Sequence, residues 1–212
     1  MAVPRSDKPV RVGVVKFASC DGCQLAFLDI GPTLLDLGVK YQIVEFAEAS
    51  SHRTPDGPFD VLFVEGSIST LEQAHHIRHL RDRATTLVTI GACATSGGIQ
   101  ALRNWADTDE FIRYVYASPE HIEALDTSTP IAAHTFVDFE LRGCPINSAQ
   151  LLELIGALLA GRRPNIPTHS VCVECKRQGI PCVWVSQGKP CLGPITQDGC
   201  GGALCPANNR AC

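Results

Sequence analysis

Eleven cysteines are spread along this chain in two groups, and no other residue type in it is spaced so suggestively. The first group is Cys20-Asp21-Gly22-Cys23, then Cys93 within GACATSGG, then Cys144 within RGCPIN. The second is Cys172-Val-Glu-Cys175, followed by Cys182, Cys191, Cys200, Cys205 and Cys212. Thiolates in such number are soft ligands for iron–sulfur clusters or zinc. Taken singly, each has a plainer reading. A lone cysteine behind a strand is a small hydrophobe, and a lone C-x-x-C is also a thioredoxin-type redox pair. That redox motif carries an aromatic and a proline, and residues 20–23 contain neither. In the tail, the gaps do not form the two paired C-x-x-C knuckles of zinc ribbons. Pro181, Pro190 and Pro206 adjoin cysteines there, as prolines do around iron–sulfur clusters. Seven tail thiolates suit one four-ligand and one three-ligand site, and structural zinc is the rival on spacing alone.

For the first group to act together, its loops must meet. Apolar, valine-rich or alternating runs predict strands over 10–17, 41–46, 59–65, 85–90 and 133–141. Helical spacing covers 24–37, interrupted by Gly31-Pro32, then 70–82, 109–116 and 148–159, the last ending near Gly161. Strands alternating with helices give βαβ units, hence an α/β fold: a doubly wound parallel sheet of flavodoxin-like type. Cys20, Cys93 and Cys144 each follow an apolar strand, so all three fall at the carboxyl ends, where such sheets gather ligands. Gly22, Gly91 and Gly143 beside them permit tight turns, and Pro145 stiffens the last loop. Pro164 and Pro167 mark a boundary, dividing the chain into 1–164 and a Cys-rich domain, 165–212. Val183, Trp184 and Leu192 are too few to give that tail a core, so metal must staple it.

Composition removes several other functions. With 212 residues, 45% hydrophobic and 19% charged, the chain is a globular domain plus something small, not a disordered one. A net charge of −4 advertises no nucleic-acid or membrane-binding face. The N-terminus has no apolar signal-peptide core, and no run reaches the roughly 18 apolar residues of a membrane span. A reducing cytoplasm is therefore expected, where disulfides are rare and thiolates bind metal. His75 and His79 are spaced i, i+4, but among His76, Arg78 and Arg81 they read as a solvated helix face. No G-x-G-x-x-G follows the first strand, which argues against an NAD or ATP site in this chain.

The segments KFASCDGCQLAFLDI, VEGSIST, TIGACATSGGIQ and RGCPIN resemble the small subunit of nickel–iron hydrogenases, and more distantly the cluster-bearing subunit of respiratory complex I. The tail VCVECKRQGIPCVWVSQGKPCLGPITQDGCGGALCP is similar to the delta subunit of cytosolic sulfhydrogenases and NAD(P)-linked hydrogenases. The resemblance runs from Val10 to Cys212. It implies a proximal 4Fe–4S cluster on Cys20, Cys23, Cys93 and Cys144, and a distal 4Fe–4S cluster on Cys172, Cys175, Cys182 and Cys191. It also implies a medial cluster on Cys200, Cys205 and Cys212, with Glu65 and Ser67 beside the proximal one, while the plainer reading of Glu65 is a helix N-cap or a surface carboxylate. Relatives usually carry a further cysteine a few residues past the position of Cys212, so the resemblance leaves three readings open: a 3Fe–4S medial cluster, a 4Fe–4S cluster with a fourth ligand beyond Cys212, or one completed by another group. His169-Ser-Val-Cys172 also offers the H-x-x-C spacing of membrane-bound relatives, leaving His169 open as a distal ligand, with Cys172 preferred.

By the same resemblance, no catalytic residue is expected in this chain. The nickel–iron centre belongs to a large subunit docked around residues 20–27 and 91–100. FAD and NAD(P) belong to a flavin reductase, with ferredoxin-like subunits beside it. The implied role is electron transfer through three clusters, with NAD, NADP, ferredoxin and sulfur all open as the acceptor. The rivals are a complex I-type quinone-linked subunit, which has the proximal site only, and a structural zinc protein.

Overall fold

The computed structural model describes residues 8–31, 33, 41–51, 53–200 and 203–212. Five strands, β1 (Val10–Lys16), β2 (Tyr41–Phe46), β3 (Phe59–Glu65), β4 (Ala84–Ile90) and β5 (Phe139–Leu141), form one sheet in the order β2-β1-β3-β4-β5. Every pairing is parallel. This is the flavodoxin-like strand order, whose winding reverses between β1 and β3. Along β3, Val61 and Phe63 enter one core while Leu62 and Val64 enter the other, as the two-residue period of a strand buried on both faces requires.

Helices cover both faces. On one, α1 (Gly22–Leu28) supplies Phe27, and a later helix, Ser148–Ala160, supplies Leu151, Leu154, Ile155 and Leu158. On the other, α2 (Leu71–Asp82) buries Ala74, Ile77 and Leu80. Thr70 starts α2 with a capping box, accepting from Gln73 N while the Gln73 side chain returns to the backbone of Thr70. Two short helices follow, α3 (Gly91–Ser96) and α4 (Thr108–Val115), so Ser148–Ala160 is α5. Asn147 caps α5, and Gly161 closes it at φ 64°.

Two expected elements are shorter than their patterns. The helix expected over 24–37 stops at Leu28. Gly31 turns to φ 57° and its N–H closes on the Leu28 carbonyl. Its expected continuation over Leu34, Leu35 and Leu37 lies outside the described residues. The strand expected over 133–141 pairs only from Phe139, because the Asp138 side chain accepts the Leu87 N–H at 2.8 Å and holds Arg81 at 2.6 Å. Upstream, Ile131–Ala133 is a 3-10 turn.

The tail carries α6 (Val171–Arg177), α7 (Val183–Gln187) and α8 (Leu204–Ala207). Its own apolar cluster is Val171, Cys175 and Ala203, with Ile180 and Cys212 packed against it.

Candidate metal centres

Strand register builds the first site. Lys16 pairs with Glu65, Glu65 with Ile90 and Ile90 with Leu141, so four strand ends lie in one row. The loops carrying Cys20, Cys93 and Cys144 leave from that row. After β1 the chain turns at Asp21, a non-glycine residue at φ 65°, held by Lys16 Nζ at 2.7 Å from its carboxylate. Helix α1 then begins with no side-chain cap of its own. Glu65, 1% exposed at the end of β3, serves instead. Its Oε1 accepts the Cys23 N–H at 3.1 Å and its Oε2 the Gln24 N–H at 3.3 Å. A carboxylate at the first N–H groups of a helix also complements the helix dipole. Burial pushes the Glu65 pKa up, and those N–H donors pull it back.

The four thiols influence one another. Burial pushes the Cys23 thiol up to about 12. The Ile146 N–H opposes that shift, and the charges of Glu65, Cys93 and Cys144 add to it. Cys93 is likewise raised, first by burial, with Cys144 and Cys20 contributing. Cys20 and Cys144 are exposed, so the site opens outward at the crevice. Without metal the Cys23 and Cys93 thiols hold their protons more tightly than a free cysteine, and binding a metal would have to release them.

In the tail, Cys172, Cys175, Cys182 and Cys191 line one cavity together with Lys176, Val183, Gly193 and Pro206. Cys175 is pushed up by burial and then by Cys172, Cys191 and Cys182. Cys182 is pulled down by the N–H groups of Val185 and Trp184 at the start of α7. Cys191 accepts from Gly193 N at 3.4 Å and Cys212 N at 3.3 Å. His169 belongs to a different cluster, with Glu174 and Asp198, their ligating atoms within 4.8 Å of one another. Arg177 holds it, with Nη1 3.2 Å from His169 Nε2 and 3.7 Å from Glu174 Oε2. A guanidinium thus supplies the positive charge there. No spacing in the sequence announces this cluster.

The remaining three cysteines have separate surroundings. Cys200 lines a cleft shared with Cys144 of the first site, and its Sγ accepts Leu204 N at 3.4 Å. Cys205 is exposed on α8, and Cys212 adjoins Cys191. Ser67, fully buried, donates to the Ala18 carbonyl at 3.4 Å and accepts from Ser128 at 2.8 Å, tying the loop after β3 to the approach to Cys20. His79 pairs with Asp56 at 3.5 Å on the exposed face of α2.

The donor sets fit iron–sulfur clusters in three respects. They are entirely thiol. Space is kept at the sulfurs by missing side chains: a Cβ on Gly91 would lie 2.4 Å from Cys23 Sγ, and one on Gly98 2.5 Å from Cys93 Sγ. Finally, a single tetrahedral zinc with Zn–S of about 2.3 Å needs sulfurs about 3.8 Å apart. Among the described residues, His169, Glu174 and Asp198 are the one group of three candidate ligands within 4.8 Å, and no cysteine set is that tight.

Residues 20–158 match the family described as NADH ubiquinone oxidoreductase, 20 Kd subunit. The chain is 32% identical over 203 residues to the delta subunit of sulfhydrogenase 2 from Pyrococcus furiosus, covering 96% of this chain and 84% of that one. It is 27% identical to the delta subunit of the NAD-reducing hydrogenase HoxS from Cupriavidus necator, covering 79% and 87%. Among solved structures, a chain of an NAD+-reducing [NiFe]-hydrogenase in the H2-reduced state superimposes with a TM-score of 0.69 at 27% identity, covering 76% of this chain and 96% of that chain.

Proposed function

The chain belongs to the NADH ubiquinone oxidoreductase 20 Kd subunit family, among relatives that are hydrogenase delta subunits, and we propose that it is the electron-relaying small subunit of a nickel–iron hydrogenase. The observation that carries this reading is the pairing of two four-thiol sets, one in the sheet crevice and one in the tail cavity. Cys20, Cys23, Cys93 and Cys144 would hold a proximal 4Fe–4S cluster. Cys172, Cys175, Cys182 and Cys191 would hold a distal one, and Cys200, Cys205 and Cys212 a medial 3Fe–4S or 4Fe–4S cluster. Such clusters supply one-electron uptake and release at potentials set by charge, burial and hydrogen bonds to sulfur.

The chain's own residues do the rest. Glu65 fixes the start of α1 and hence the Cys23 sulfur. The N–H groups of Val185 and Trp184 favour thiolate at Cys182, and those of Gly193 and Cys212 donate to the Cys191 sulfur. The exposed Cys20 and Cys144 face outward, where a large subunit bearing the nickel–iron centre and splitting H2 would dock. Electrons would pass from there through the domain 1–164 to the domain 165–212, and on to a flavin/NAD(P) or ferredoxin-like subunit in the cytoplasm. No helix among the described residues is long and apolar enough to cross a membrane. A complex I-type subunit needs the proximal site alone, and the tail cavity lined by four cysteines has no purpose under that reading.

The test is optical and elemental. The purified complex is expected to contain iron and acid-labile sulfide and to show broad visible absorption that bleaches on reduction. A colourless, zinc-loaded chain would contradict the reading.

A further inference from the structure

Helix α7 has a buried side and an open one. Val183 lines the tail cavity beside Cys182 and is 3% exposed, whereas Trp184 is 52% and Val185 87% exposed. Every residue from Trp184 to Pro190 is exposed. The helix is tied to the cysteine that precedes it: Ser186 N and Ser186 Oγ each donate to the Cys182 carbonyl at 2.8 Å. A protein seated on Trp184 and Val185 therefore lies within one helical turn of a member of the tail four-thiol set.

The charge around this open side has one sign. Residues 165–212 hold Lys176, Arg177, Lys189 and Arg210 against Glu174 and Asp198, in a chain whose net charge is −4, so the acidic excess lies in the sheet domain. Both tail carboxylates belong to the cluster at His169, where Arg177 meets Glu174. Lys189 follows α7 after Gly188, and the Gln187 amide donates to Asn209, which brings residue 210 to the same end of the helix. Lys176, on α6, lines the cavity with Cys182 and Val183. Among the described residues, Lys176, Lys189 and Arg210 are in no ion pair.

We infer that this face of α7 is the docking site of an acidic electron-carrier protein of the ferredoxin-like kind. Trp184 and Val185 supply its apolar centre, and Lys176, Lys189 and Arg210 its cationic rim. This rests on the relay proposed above and names its outgoing partner. Tryptophan is over-represented among the residues that anchor protein interfaces, and a patch this small suits the short-lived complexes of electron transfer. Unpaired cations steer a carboxylate-bearing carrier toward the face and repel a basic one. One electron then leaves the reduced tail cluster and reduces the oxidised cluster of the carrier, with no bond made or broken.

The experiment mixes the reduced, purified complex with an oxidised acidic ferredoxin and follows ferredoxin reduction by stopped-flow absorption at low and high salt. Wild type is compared with Lys189→Glu/Arg210→Glu and with Trp184→Ser. At low salt the double variant is expected to react about tenfold more slowly than wild type. That gap should close as salt screens the charges, whereas Trp184→Ser stays slow throughout. Iron content and the tail EPR signals should match wild type in both. If the double variant fails to load iron, Lys189→Gln/Arg210→Gln removes the charge without reversing it and is held to the same prediction. Equal rates for wild type and the charge variant at low salt overturn the inference. So does a wild-type complex that self-associates, or binds anionic vesicles or DNA, through these residues while its ferredoxin rate ignores them. A wild-type complex with no iron–sulfur signal at all would instead overturn the proposed function itself.

Discussion

The sheet domain and the tail reach order by different routes. The sheet domain has two apolar cores, one on each face, with Phe27, Phe46, Phe59 and Phe63 all at 2% exposure or less. The tail has three buried residues in its cluster, one of them a cysteine, while Trp184, Val185, Ile195 and Leu204 are exposed. Burial of each large apolar side chain contributes about 1.5–3 kcal/mol, so the first region is stable by packing and the second is not. Cysteine therefore means two things in one chain. In the sheet domain it is a guest on a finished scaffold, and in the tail it is part of the scaffold.

The largest expected effect follows from that contrast. Withholding or stripping iron should leave the sheet domain folded and the region 165–212 open to protease, as mapped by limited proteolysis with mass spectrometry. A tail that stays resistant without iron would erase the distinction. Next, Phe63→Ala, which empties a site in the core shared by α1 and α5, should cost about 3–5 kcal/mol by denaturant unfolding, with or without iron. A metal-dependent cost would mean that the sheet domain also relies on its site.

Smaller again is Glu65→Gln, which leaves one Glu65 partner at the start of α1 poorly satisfied and should cost about 1–3 kcal/mol in the metal-free chain. Its pH dependence has a definite sign. Burial raises the Glu65 pKa in the folded state, so its contribution is complete below the ordinary carboxylate pKa. It is lost as pH rises through the raised value. Unfolding curves across that window should show wild type losing its advantage over the variant as pH increases. The smallest effect is expected from Arg162→Gln, which breaks an exposed 2.6 Å pair with Glu153. That partner holds the Glu153 carboxyl down at about 2, yet solvent screens the pair, and melting at neutral pH should not move.

Much of this was legible in the sequence because it depends on local period. The four long strands are apolar runs, and Cys20, Cys93 and Cys144 stand behind strands, which fixes the end of the sheet they occupy. Illegible features came from side chains acting at long range. Asp138 replaces a backbone acceptor of the ladder and shortens β5, although the run from 133 alternates like a strand. Glu65 was open between a place near the site and a helix N-cap, but that it caps α1 in particular depends on the register of β3 against β1. Gln100 carries no signal of its own in the sequence, and only the fold brings its amide to the Ala18 carbonyl. His169 fitted a ligand spacing, yet Arg177, Glu174 and Asp198 surround it while Cys172 lines the cavity.

The relay itself is tested most directly by supplying H2 to the complex carrying Cys144→Ala and following the tail sites by EPR. These sites are expected to stay oxidised under H2 while dithionite still reduces them, because in the proposed relay electrons from the large subunit enter the tail through the first site. Reduction of the tail by H2 at the wild-type rate would contradict it.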